Sequence, residues 1–334
     1  SRFFGTLRNV YTFFALYANT DELDPREFFV PENKRPELDR WIISKYNNLV
    51  RTVKEDMDAY DLTRAVRHIQ DFVVEDLSNW YIRRARRRFW ASELDDDKRA
   101  VYNTTYEVLV GIAKLIAPYA PFTAEELYRN LTNDPLSVHL TDYPQPQARL
   151  IDANVEERMD LARSLVGLGR SAREQVKIKV RQPLNKILVA GENKKLLTGL
   201  VPLIAEELNV KQVEFAADLS RFMEYRLKPN FPAAGPALGP KIKEFSGALA
   251  GLDAAKAAAQ LEGGEEITLT LKGEETLLTR DLVEITIVAK EGFTVAMENN
   301  LFVILDTTLT QELIAEGFAR EFVSKVQQLR KRKD

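Results

Sequence analysis

Apolar residues recur at helical intervals through about the first 131 residues, and this periodicity restricts the front of the chain to packed helices. Phe3, Leu7, Val10, Tyr11 and Phe14 form one stripe. Leu38, Ile42, Leu49, Val53 and Met57 form another, behind a proline, Pro36, that suits a helix start. A third helix is predicted from about Leu62 to Trp90 and a fourth from about Asp97 to Ala117, stopped by Pro118. Thr123 and Glu126 have capping-box spacing for a short fifth helix ending near Leu131. Single apolar stripes separated by short polar breaks predict an antiparallel bundle.

The segment from Asp142 to Ala148 carries two prolines in a polar setting, which resist helix and central strand alike and mark a linker. Beyond it helices and strands intermix. A helix from about Val155 to Gln175 leads through Lys177 to Leu184 into a strand at 186–190, and a helix from about Lys194 precedes a strand at 210–215. A Gly/Pro-rich stretch from Pro229 to Pro240 is followed by an alanine-rich helix near 249–261. Strands are then predicted at 266–272, 283–289, 294–297 and 301–306, and an amphipathic helix from about Gln311. The expected fold is a mainly α helical bundle over 1–143 followed by an α+β domain over 144–334.

Composition narrows the function classes. A length of 334 residues, 45% of them hydrophobic, supports two or three domains with their own cores. A net charge of -3 confines any nucleic-acid surface to a local patch. With no cysteine and only two distant histidines, His68 and His139, neither disulfides nor a thiolate metal site can form, and the histidines cannot build a zinc site unaided. Arginines interrupt the apolar opening from Arg2 to Tyr17 and no small-residue cleavage site follows, so it does not read as a signal peptide. The chain opens without methionine and already in helical register, the pattern of a piece cut from something larger. The stretch from Gly235 to Lys241 has the wrong spacing for a phosphate loop, with prolines where N–H groups would be needed. No catalytic centre is expected within the chain, and no cofactor.

The segment from Ser78 to Trp90 is different. Five of the six residues from Arg83 to Arg88 are arginine, and tryptophans stand at Trp80 and Trp90. At about 100° per residue, Val74, Leu77, Tyr81, Ile82, Ala85 and Phe89 share an apolar stripe, while Trp80, Arg83, Arg86, Arg87 and Trp90 face away from it. Guanidinium groups neutralise phosphates and flat aromatics stack on unpaired bases, so the segment points to RNA. The competing reading is that the arginines pair with nearby acids and the tryptophans pack a neighbouring helix.

The order of motifs resembles one family. Arg2 to Asn19 (RFFGTLRNVYTFFALYAN), Arg35 to Ser44 (RPELDRWIIS), Ile69 to Trp90 (IQDFVVEDLSNWYIRRARRRFW), Ala113 to Pro121 (AKLIAPYAP) and Ser137 to Leu140 (SVHL) resemble the anticodon-binding helical domain of isoleucyl-tRNA synthetase. Val176 to Pro183 (VKIKVRQP), Asn209 to Glu214 (NVKQVE), Leu227 to Phe231 (LKPNF) and Thr310 to Gln328 resemble its C-terminal extension, in the form shared by eukaryotes, archaea and some bacteria rather than the one ending in a cysteine-liganded zinc. The resemblance implies a cytoplasmic, monomeric enzyme that joins isoleucine to its tRNA, using ATP and Mg in a catalytic domain upstream of residue 1. Both adenylate signatures of the family are absent here, so this part alone is expected to be inactive. Its expected partners are isoleucine tRNA and that upstream domain, with no membrane. The family usually continues past the helix near Arg330, which leaves the completeness of the last module open.

Three groups of residues are the RNA-binding candidates. Arg2, Asn9 and Phe13 lie off the core stripe of the first helix. Trp80, Arg83, Arg86, Arg87 and Trp90 come from the arginine helix. Lys177, Lys179 and Arg181 alternate along a strand-like piece and would project from one face. The rivals are a protein-interaction scaffold whose arginine helix docks an acidic partner, and a self-contained enzyme in the α+β half.

Overall fold

The computed structural model describes residues 2–217, 221–298, 301–330 and 332. The chain divides into two compact units, up to Met159 and from Asp160, within the helix Ala153–Gln175.

The first unit is all helix: α1 (Arg2–Thr20), α2 (Glu37–Asp58), α3 (Leu62–Asp71), a π-helical stretch (Phe72–Ile82) continuing directly into α4 (Arg83–Trp90), α5 (Asp96–Ile116), α6 (Pro121–Thr132) and the start of α7 (Ala153–Gln175). Carboxylates start three of them, since Asp61 accepts from the Arg64 N–H at 3.0 Å, Asp95 from the Lys98 N–H at 2.8 Å and Asp152 from the Val155 N–H at 3.1 Å. The capping box does not form. Pro121, whose fixed φ suits a first turn, begins α6 behind Ala120, so Thr123 is already helical.

The stripe from Val74 to Phe89 is buried throughout, and Phe89 and Tyr102 meet edge to face at 4.9 Å in the core. Two carboxylate–arginine sets, each with one enclosed partner, lock the helices together. Asp39, fully enclosed, accepts two bonds from Arg88 at 2.6 and 2.7 Å and one from the Tyr81 hydroxyl at 2.8 Å. Arg35 donates to Glu107 at 2.7 and 2.9 Å and to the Val30 carbonyl at 2.8 Å. The bundle is not purely antiparallel. Arg2 reaches Glu75 while Phe13 reaches Phe89, so α1 runs alongside the 72–90 stretch in the same direction.

The proline segment is folded onto this unit rather than strung out as a linker. Tyr143 Oη donates to the Leu115 carbonyl at 3.2 Å, the Gln147 N–H to Asn47 Oδ1 at 2.9 Å and the Asp152 N–H to Ser44 Oγ at 2.8 Å. These bonds carry the unit past residue 143 to Met159.

In the second unit β1 (Leu184–Ala190), α8 (Val201–Leu208) and β2 (Val210–Ala216) make a β-α-β turn with β1 and β2 parallel. A hairpin of β3 (Met223–Pro229) with the later β6 (Val283–Ala289) encloses α9 (Phe231–Leu238), α10 (Ile242–Ala250), α11 (Ala254–Glu262) and the β4–β5 pair (Ile267–Leu271, Glu274–Leu278). Their side chains share a core around Phe245, Leu249, Leu261, Leu271 and Leu278. Lys272 and Gly273, both at positive φ, close the β4–β5 turn in the twist that two-residue hairpins prefer. β7 (Phe293–Glu298) and β8 (Leu301–Asp306) complete a four-stranded sheet in the order β2-β1-β8-β7, and α12 (Gln311–Arg330) ends the fold. The Gly/Pro-rich stretch is ordered structure. Ala234 in α9 is fully buried, and the Asn230 side chain donates to the Asp281 carbonyl at 2.8 Å. Among the described residues no helix is long and apolar enough to cross a membrane.

Candidate nucleic-acid interface

Seven of the candidate residues lie on α1 and α4 of the first unit. Arg2, Asn9, Arg83, Arg86, Arg87 and Trp90 are exposed, and Phe13 is half-buried. Phe13 links the two helices. Its ring meets Phe89 edge to face at 5.1 Å, and the Arg86 guanidinium lies 5.9 Å above it. Arg86 has no carboxylate partner among the described residues, so the ring holds its charge in place without neutralising it. Asn9, one turn before Phe13, has no side-chain hydrogen bond among the described residues and offers its carboxamide outward. Trp90 ends the same ridge, 56% exposed. Arg2 is engaged by Glu75 at 3.3 Å, and Asn79 braces Glu75 at 2.9 Å.

Trp80 does not share this face. It is 7% exposed, and its indole N–H is directed at the Met159 sulfur at 3.3 Å. The reason is the π-helical stretch. Bonds to the fifth residue widen the turn, so a wheel drawn at the α-helical angle misplaces the residues inside it. Arg88 is also structural. Burial opposes its charge, but the bonds and charge of Asp39 outweigh burial and raise its pKa above the ordinary arginine value. Burial first, and Asp39 second, raise the Tyr81 pKa well above the usual phenol range.

Lys177, Lys179 and Arg181 belong to the second unit and do not form a strand. Lys177 adopts φ 54 and the segment turns through Gln182, so the three side chains do not share one strand face. All three are exposed, and Arg181 pairs with Glu321 at 3.4 Å. What shapes the loop is a residue the sequence does not single out. Arg173, buried and without a carboxylate partner among the described residues, donates to the carbonyls of Lys179 and Gln182 at 3.0 Å each and of Leu208 at 2.7 Å. Burial lowers its pKa to about 10. No sequence signal marks it, since an arginine in a last helical turn is ordinary.

The α1/α4 face thus combines fixed cations, an exposed indole and a free carboxamide, the set that single-stranded RNA recognition uses for phosphate, base face and base edge.

Residues 39–188 match the family described as the anticodon-binding domain of tRNA ligase. Over 99% of its length the chain is 44% identical to the isoleucine–tRNA ligase of Clostridium novyi, of which it covers 32%. It is 42% identical to that of Clostridium tetani over its whole length, covering 32% of the relative, and 41% identical to that of Porphyromonas gingivalis over 99% of its length, covering 29%. The chain therefore spans about a third of the length of the curated relatives it matches. These relatives are bacterial, so they lend no support to a eukaryotic or archaeal type.

Proposed function

We propose that this chain is the tRNA-gripping part of an isoleucine–tRNA ligase, and that its α1/α4 face receives the anticodon region of isoleucine tRNA. The observation that carries this reading is the juxtaposition of Asn9, Phe13, Arg86 and Trp90 on two adjacent helices, one stacking surface, one base-reading amide and one anchored cation together. ATP-dependent joining of isoleucine would be carried out by parts of the enzyme outside this chain, where ATP and Mg would bind. Identity of 44% along 99% of the chain supports the choice of isoleucine over other amino acids. The form without a cysteine-liganded zinc remains our reading within the family, on the motifs Val176 to Pro183 and Asn209 to Glu214. The exposed Lys177 and Lys179 would bind further phosphates.

Titration of the chain with isoleucine tRNA and with the same tRNA carrying a different anticodon tests the proposal. Tighter binding of the first is expected, with the preference shrinking in Asn9→Ala. Equal affinity for both would contradict anticodon recognition.

A further inference from the structure

The other flank of α1 carries a cleft that the proposed RNA face does not use. It lies between α1 and α6 and encloses about 570 Å³, within the range of small-ligand sites. Leu7 and Leu127, both buried, make its apolar floor. Gly5 lines one wall, and a Cβ added there would meet nothing within 4 Å. Glycine inside a helix is unfavourable, yet here its missing side chain leaves the cleft open. Phe4 and Tyr11 supply aromatic surface beside it.

The polar groups of the two walls differ in sign. Arg8 on α1 is exposed and has no carboxylate partner among the described residues. On α6 Glu126 and Asn130, one turn apart, both line the cleft, and neither side chain is hydrogen-bonded within the chain among the described residues. Burial, then the Glu126 charge, raises the Tyr11 pKa, which keeps its phenol a proton donor. A cation facing a carboxylate and an amide across an aromatic-lined cleft matches what one nucleotide presents, an anionic phosphate at one end and base-edge N–H groups at the other. Guanine fits best, because its Watson–Crick edge places two N–H donors side by side where one carboxylate accepts both, and its O6 accepts from a carboxamide.

We propose that the α1/α6 cleft is a second RNA subsite that takes a single unpaired guanine nucleotide, with Glu126 and Asn130 reading the base edge, Arg8 holding the phosphate and Phe4 or Tyr11 stacking on the base. This rests on the RNA-binding reading of the α1/α4 face and extends it. The two flanks are separated only by the exposed crest of α1, about 10 Å across, which neighbouring nucleotides of an unstacked strand can straddle.

The test uses the full chain, isoleucine tRNA and kethoxal, which modifies the N1 and N2 positions of unpaired guanines. The wild-type chain should protect one unpaired guanine. Glu126→Gln should restore its reactivity and weaken tRNA binding about tenfold, as loss of a charge-assisted bidentate pair does. Gly5→Leu, which fills open space, should do the same while the chain still melts as wild type. Arg86→Gln should weaken binding but leave the protected guanine protected at saturating chain. Wild-type affinity and an unchanged protection pattern in both Glu126→Gln and Gly5→Leu would overturn the subsite while leaving the α1/α4 reading intact. A wild-type chain that binds no tRNA would overturn both.

Discussion

Trp80 and Trp90 sit ten residues apart on one helical run, yet their surroundings assign them different work. Trp80 is core, so Trp80→Ala should cost about 3 to 5 kcal/mol of stability in a denaturation measurement. Trp90 is exposed, and Trp90→Ala should leave the melting temperature nearly unchanged while weakening tRNA binding by about 1 to 3 kcal/mol, the usual worth of a stacked base. The reverse pattern would exchange their roles. The arginines divide in the same way. Arg88 is fixed by Asp39, and Asp39→Asn should destabilise the bundle by about 1 to 3 kcal/mol, because it removes the enclosed carboxylate and leaves Arg88 only the more exposed Asp97 as charge partner among the described residues. From the sequence the five arginines look alike. Only packing, which a single stripe of letters does not reveal, separates Arg88 on buried Asp39 and Arg84 against buried Trp80 from the exposed Arg83, Arg86 and Arg87.

Among the elements, those with one-sided apolar stripes were legible: α1, α2, the 62–90 run, α5 and α12 fall where the periodicity puts them. What stayed hidden follows from local physics. The π-helical turn moved Trp80 inward, and prolines disguised regular structure: Pro232 lies at the start of α9 and Pro229 at the end of β3, where a missing N–H is tolerated, while Pro236 lies inside α9. The basic 177–181 piece alternates like a strand but is pulled into turns by Arg173, a long-range hydrogen-bonding centre with no local signature. Close helix packing gives a further test. A Cβ at Gly111 in α5 would lie 2.2 to 2.8 Å from the Tyr46 ring of α2. Gly111→Ala should therefore cost about 1 to 3 kcal/mol in a denaturation measurement. An unaltered stability in Gly111→Ala would show that α2 and α5 are held less tightly than this close approach implies.

Across the whole molecule, the proposed RNA binding gains nothing from the chain's net charge of -3, and hence would depend on cations concentrated locally. The α1/α4 face supplies them in the helical unit, and the loop held by Arg173 supplies Lys177 and Lys179 in the other. Helices first and a mixed α+β part after them were readable in outline from periodicity. Which basic residues face outward was not, because outwardness is decided by packing partners distant in sequence. The most direct test of RNA binding through α4 is the salt dependence of isoleucine tRNA affinity for the wild-type chain and for the Arg83→Gln/Arg86→Gln/Arg87→Gln variant. Phosphate binding by these arginines predicts a weaker complex and a log–log slope flatter by roughly 0.7 to 0.9 for each phosphate no longer neutralised. An affinity and slope identical to wild type would remove α4 from the RNA-binding surface.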